Sequence, residues 1–132
     1  MHEYNTLQWN QRWITSETGS HTRKFFPQII DRQNCKSYFS SSFYVTQFIT
    51  GHGKFNAYLH RFNLRNSKTC ICDNFSIQTP EHIIFHCILY ERRQKLKDKS
   101  IELYNLFPCN FHQLIHRNIF NIFKEFCKIS FI

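Results

Sequence analysis

The chain has 132 residues, 17 Lys+Arg against 9 Asp+Glu, and a formal net charge of +8. That length suits one domain, 1–132, and cannot hold two catalytic domains. The basic excess runs along the whole chain and points to an anionic partner, RNA or DNA most simply. The nine carboxylates are dispersed with no Asp-x-Asp pair, which argues against an enzyme that positions Mg²⁺ on grouped carboxylates.

Fifteen Phe beside a single Ala, three Gly and three Pro fit an AT-rich coding bias, so the aromatic excess is not by itself a stacking surface. The N-terminal segment lacks a basic stretch followed by an apolar one, so no secretory signal is expected and the chain reads as intracellular. The apolar run Ile83 to Tyr90 is too short to span a membrane. In that setting the six Cys read as reduced thiols or metal ligands.

In chain order, Trp9 and Trp13 lie four apart in a helix expected from about Glu3 to Thr18, closed by Gly19 and anchored in the core by both indoles. Ser20 to Lys36 shows no sustained period and reads as loop, with an extended piece over Phe25 to Ile29. Serines 40–42 cap a helix through Phe43 and Phe48 to Gly51. After the Gly51-His52-Gly53 corner, Phe55, Tyr58, Leu59 and Phe62 fall at i, i+3, i+4 and i+7 of another helix. A helix-turn-helix reading of this corner is disfavoured, because its second helix devotes those residues to an apolar face.

Residues 64–79 read as loop, and Thr79-Pro80 as the N-cap and first position of a helix running on, alone or with a second in line, toward Phe107. Pro108 and Asn110 open a last helix whose stripe runs from Phe111 through Leu114, Ile115, Ile119 and Phe123 to Ile129. The fold class is mainly α: a small helical domain with a metal-binding finger inserted between helices. N-terminal helices occupy 1–66, the finger 67–90 and C-terminal helices 91–132.

Cys70-x-Cys72, nine residues, His82, four residues and Cys87 place three thiols and an imidazole within eighteen residues. This is a four-donor S/N set of the kind structural Zn²⁺ takes. On a regular helix i and i+5 lie about 140° apart, so His86, four residues after His82, rivals Cys87 as the fourth ligand. A full set leaves no open position for water, which argues against a catalytic metal. Arg92, Arg93, Lys95, Lys97 and Lys99 follow directly and are candidate phosphate contacts, with His60, Arg61, Arg65 and Lys68 as a weaker cluster before the finger.

Three features in order carry a resemblance: Trp9-Asn-Gln-Arg-Trp13 with Thr18-Gly19 and Thr22; Phe48-Ile-Thr-Gly-His-Gly-Lys-Phe-Asn-Ala-Tyr-Leu59; and Cys70-x-Cys72 with Thr79-Pro-Glu-His82 and Cys87. Over about residues 7 to 95 the chain resembles the C-terminal tail of arthropod non-LTR retrotransposon polyproteins, beyond their reverse transcriptase and RNase H-like regions. The resemblance implies Cys70, Cys72, His82 and Cys87 as ligands of one structural Zn²⁺, favouring Cys87 over His86. It further implies a non-catalytic module that helps a reverse transcriptase hold RNA or DNA, acting in the nucleus beside polymerase and RNase H domains. The chain departs from the family pattern at Asp73 and Ile88, where Gly and Pro are usual. The rival reading is a helical structural or protein-interaction module without nucleic-acid affinity.

Overall fold

Phenylalanine builds the interior: among the described residues nine Phe are buried, and Phe25, Phe48, Phe55 and Phe123 have no exposed surface. The computed structural model describes residues 2–40, 42–88 and 93–130, with side chains from residue 7 onward. The helices are α1 His2–Thr15, α2 Ser20–Phe25, α3 Ile29–Asn34, α4 Phe43–Thr50, α5 Asn56–Arg61, α6 Gln94–Tyr104, α7 Phe111–Leu114 and α8 Phe120–Ile129, with a π-helical turn at His82–His86. Helix α4 packs on α8, α2 on both α4 and α7, α6 on α8, and α1 on α3. Phe25 stacks on Phe111 at 4.7 Å, Phe48 meets Phe55 edge-on at 5.1 Å, and Phe85 stacks on Phe111 at 5.7 Å. Offset and edge-on pairs of this kind add to the free energy of burial. The mainly α class with a finger between helices is therefore what the chain adopts, and among the described residues no helix is long and apolar enough to cross a membrane.

The corner after α4 forms as its residues require. Ser42 Oγ accepts the Val45 N–H at 3.2 Å, and Gly51 ends the helix in the left-handed region at φ 73°. Gly53 is needed for a different reason than a positive φ, since a Cβ there would collide with the buried Gln47 side chain. That side chain in turn accepts the Lys54 N–H at 3.0 Å.

Several expectations change. The stretch 20–36 is not loop, because it forms α2 and α3, each six residues long and too short to display a period. The extended piece shrinks to the link before α3, with Gln28 at φ −126°, ψ 153°, where the Asp31 carboxylate accepts the Gln28 N–H at 2.7 Å. Helix α1 ends at Thr15, and Gly19, at φ 72°, starts α2. Of the two indoles only Trp13 packs on the core, its Nε1 donating to the Phe26 carbonyl at 2.6 Å, whereas Trp9 is 56% exposed.

The last apolar stripe is not one helix. Ile115 and His116 donate to carbonyls three residues back, the α-helical ladder lapses, and the chain re-enters helix at Phe120. Two tyrosines brace the break: Tyr104 Oη donates to Gln113 O, which also accepts the His116 N–H, at 2.8 Å, and Tyr38 Oη donates to Ile115 O at 2.7 Å. The apolar positions survive the break because Ile115, Ile119, Phe120 and Phe123 all stay buried.

Candidate metal centre

Hydrogen bonds shape the segment that carries the first two thiols. Thr69 bridges Ile77 antiparallel, Cys70 N–H donates to Ser76 O at 2.7 Å, and Asn74 turns the chain at φ 56°. The Asp73 carboxylate accepts the Phe75 and Ser76 N–H groups at 2.9 Å each and the Ser76 hydroxyl at 2.5 Å. Those three donors, the Ser76 hydroxyl first, hold its pKa well below the usual carboxylate range. Asp73 is thus the residue that closes this loop.

The second pair comes from the helical turn. Thr79 Oγ1 accepts the His82 N–H at 3.2 Å and Pro80 follows it, so the predicted cap is present. The chain then widens into a π-turn in which Cys87 N–H donates to His82 O at 2.7 Å. An i to i+5 bond of this kind removes the angular obstacle that a regular helix would impose, because it closes one turn over five residues. His82 and Cys87 are brought together, and His86 is left exposed outside the set.

The ligand atoms of Cys70, Cys72, His82 and Cys87 all lie within 4.8 Å of one another. Cys70 and Cys87 sulfurs are 3.6 Å apart, and Cys72 Sγ is 3.3 Å from His82 Nε2. A tetrahedron with metal–sulfur bonds of about 2.3 Å has sulfur–sulfur edges of about 3.8 Å, so the cluster has the size of a four-coordinate site. None of the cysteines is joined in a disulfide, and Cys35, Cys109 and Cys127 are buried packing residues away from the cluster.

The electrostatics suit a cation. Burial, then the neighbouring Cys70 and Cys87 sulfurs, push the Cys72 thiol up to about 12. Burial also acts to raise the Cys70 thiol, but hydrogen bonds from the Cys72 backbone and the Gln78 amide outweigh it and bring the pKa down. Burial lowers His82, leaving the neutral imidazole that a metal binds. Three crowded sulfurs cannot all ionise without a positive charge between them, and that is the condition a divalent metal satisfies.

Two residues that the sequence did not single out tie the site to its surroundings. Gln78 Nε2 donates to Cys70 Sγ at 3.5 Å while its Oε1 accepts the Asn56 N–H at 2.8 Å, and Asn56 Nδ2 donates to Thr69 O at 2.8 Å. Neither has a sequence signal, since both act through long-range geometry.

The basic residues separate. Arg93 is turned inward: its Nη2 donates to Ile83 O at 3.0 Å and to Cys87 O, so its guanidinium caps the π-turn and is not offered to a phosphate. Lys95 and Lys97 are exposed on α6, and Lys99 pairs with Glu102 at 3.4 Å. Arg61, Arg65 and Lys68 are exposed at the end of α5 and in the loop beyond it, where the His60 ring holds the Arg65 carbonyl at 3.1 Å. Arg92 lies outside the described residues.

No family model matches the chain, and no solved structure matches it. Among curated proteins it is 31% identical over 93 residues to the "Retrovirus-related Pol polyprotein from type-1 retrotransposable element R1 2" of Nasonia vitripennis, covering 70% of this chain and 22% of that one. It is 37% identical over 65 residues to the corresponding "R1 4" polyprotein of the same organism, covering 48% and 16%. It is also 35% identical over 95 residues to the "Putative 115 kDa protein in type-1 retrotransposable element R1DM" of Drosophila melanogaster, covering 71% and 9%. The chain spans about a fifth or less of the length of these relatives.

Proposed function

Because the chain is homologous to part of the Pol polyprotein of insect R1 retrotransposable elements, we propose that it is a non-catalytic, zinc-binding module that helps such a polyprotein hold RNA or DNA. The observation that carries this reading is the convergence of Cys70, Cys72, His82 and Cys87. Three thiolates and a neutral imidazole are the donors tetrahedral Zn²⁺ prefers, and a full set of four protein ligands is structural chemistry. Bound there, the metal supplies a cross-link between the loop and the π-turn. The chain's dispersed carboxylates leave catalysis to other domains of the polyprotein.

Affinity would come from Arg61, Arg65, Lys68, Lys95, Lys97 and Lys99, with Arg92 from the adjoining segment, all of them outside the Cys70 to Cys87 ligand span. The polymerase and RNase H domains of the polyprotein are the natural protein partners, and the nucleus the compartment in which such a module would meet its DNA target.

The test is a fluorescence-anisotropy titration of labelled RNA and DNA against salt. Phosphate contacts require affinity to fall steeply as salt rises, and absence of binding at low salt would overturn the nucleic-acid reading. Metal analysis of the purified protein is expected to give about one Zn²⁺ per chain. The rival protein-interaction reading rests on the exposed Leu7, Trp9 and Ile14 of α1, apolar side chains that a neighbouring domain would cover.

A further inference from the structure

We propose that the groove walled by α2, the Gly51–Gly53 corner, α5 and the segment leading into the π-turn binds single-stranded nucleic acid by stacking unpaired bases on its aromatic side. The inference rests on the nucleic-acid reading above and gives it a location that the basic run after the finger does not. The groove encloses about 730 Å³.

Along it the His52 and Tyr58 rings stack 4.9 Å apart at 21°, and Phe62 continues the row 4.9 Å from Tyr58. Tyr58 packs against the core, but core packing does not account for the exposed rings on either side of it, His52 and Phe62. Phe55 of the same apolar stripe is fully buried, whereas Phe62 is 53% exposed with the Arg61 guanidinium 5.7 Å over its ring. An exposed ring flanked by Arg is the arrangement that non-specific single-strand binders use, because every base has a π-face and every nucleotide a phosphate.

Two cations and two carboxylates line the groove. Lys24 and Arg61 line it, and Arg65 and Lys68, both exposed, follow Phe62 in the chain. Glu17 and Glu81 line it too, and they can accept from base amino groups or ribose hydroxyls. The His21 ring is committed, bonded through Nε2 to Phe48 O at 2.9 Å, and serves as wall. A duplex hides the faces of its bases, so the occupant is unpaired.

The experiment is anisotropy with a short labelled single-stranded RNA, its DNA counterpart and the matching duplex, on the metal-loaded chain and its variants. Phe62→Ala is expected to weaken single-strand binding about ten-fold or more while leaving the salt slope unchanged, since stacking releases no counterions. Phe62→Tyr should restore binding and Phe62→Leu should not, which separates stacking from packing. Arg61→Ala should instead lower the salt slope by about one. Phe43→Ala, at another exposed ring, is the control expected to bind as the parent does. If the parent binds and Phe62→Ala binds equally well, or the duplex binds as tightly as the single strand, the groove is not the site although the nucleic-acid reading stands. If the parent binds nothing at low salt, both fall.

Discussion

The finger and the helical core are held by different forces. In the finger loop Ile71, Phe75 and Ile77 are 73%, 85% and 45% exposed, so apolar burial does little there. Its shape comes from the Asp73 hydrogen bonds, the bridge at Thr69 and the four converging ligands. In the core, by contrast, Phe25, Phe48 and Phe123 are sealed, with Phe123 in ring contact with both of the others. The two regions share the π-turn, whose Ile83, Ile84 and Phe85 belong to the core while His82 and the following Cys87 belong to the ligand set. A loop too small to bury its own apolar side chains is the kind of segment that a metal stabilises, and a core rich in Phe is not.

Removing the metal should break this comparison most visibly. Structural Zn²⁺ contributes on the order of 10 kcal/mol or more in small fingers, which is the stability of a whole domain. After chelation, hydrogen exchange is expected to become fast through residues 68–88 while α4 and α8 stay protected. Equal protection before and after chelation would mean that hydrogen bonds alone hold the finger.

Phe123→Ala attacks the other side. It removes a fully buried ring that touches Phe25 and Phe48, and is expected to lower stability to urea by about 3–5 kcal/mol. Metal stoichiometry should not change, because the ring takes no part in the ligand set. Loss of metal together with the core would show that the two regions fold only as one unit.

Arg93 lies where the two regions join. Its donation to the Ile83 and Cys87 carbonyls fixes the end of the π-turn, and it sets a positive charge near the Cys87 and Cys72 sulfurs. Partners that orient metal ligands are worth roughly ten- to a hundred-fold in affinity. Arg93→Ala is expected to lose that much in a chelator-competition titration, and Arg93→Lys to recover only part, since an ammonium lacks the planar fork. Unchanged metal affinity would reduce Arg93 to a surface cation.

How much of this was legible follows from how local each signal is. The ligands sit within one short segment, so their residue types and spacing were enough to propose the cluster. Choosing Cys87 over His86 was not a matter of spacing, because a regular helix argues the other way: the family resemblance favoured Cys87, and the π-turn supplies the physical reason. The Gly51 corner was readable because a positive φ has a residue signature. Helices α2 and α3 were not, since six residues are under two turns and their ends depend on Asp31, Trp13 and Arg23 contacts. The break between α7 and α8 was hidden because Ile115 and Ile119 remain buried across it.

The smallest effect expected sits six residues from one of the larger. Lys99 and Arg93 belong to the same basic run, and on sequence alone they are equivalent. Lys99 meets Glu102 at 3.4 Å, with the Glu side chain 66% exposed, so water screens the pair and ordering two long side chains offsets its attraction. Lys99→Ala is therefore expected to change stability by about 0.5 kcal/mol or less, leaving metal affinity untouched in the same titration that detects Arg93→Ala. Its effect should appear only in nucleic-acid binding, as a salt slope lower by about one. If Lys99→Ala instead released metal, the division of this run into one inward cation and a set of outward ones would be wrong.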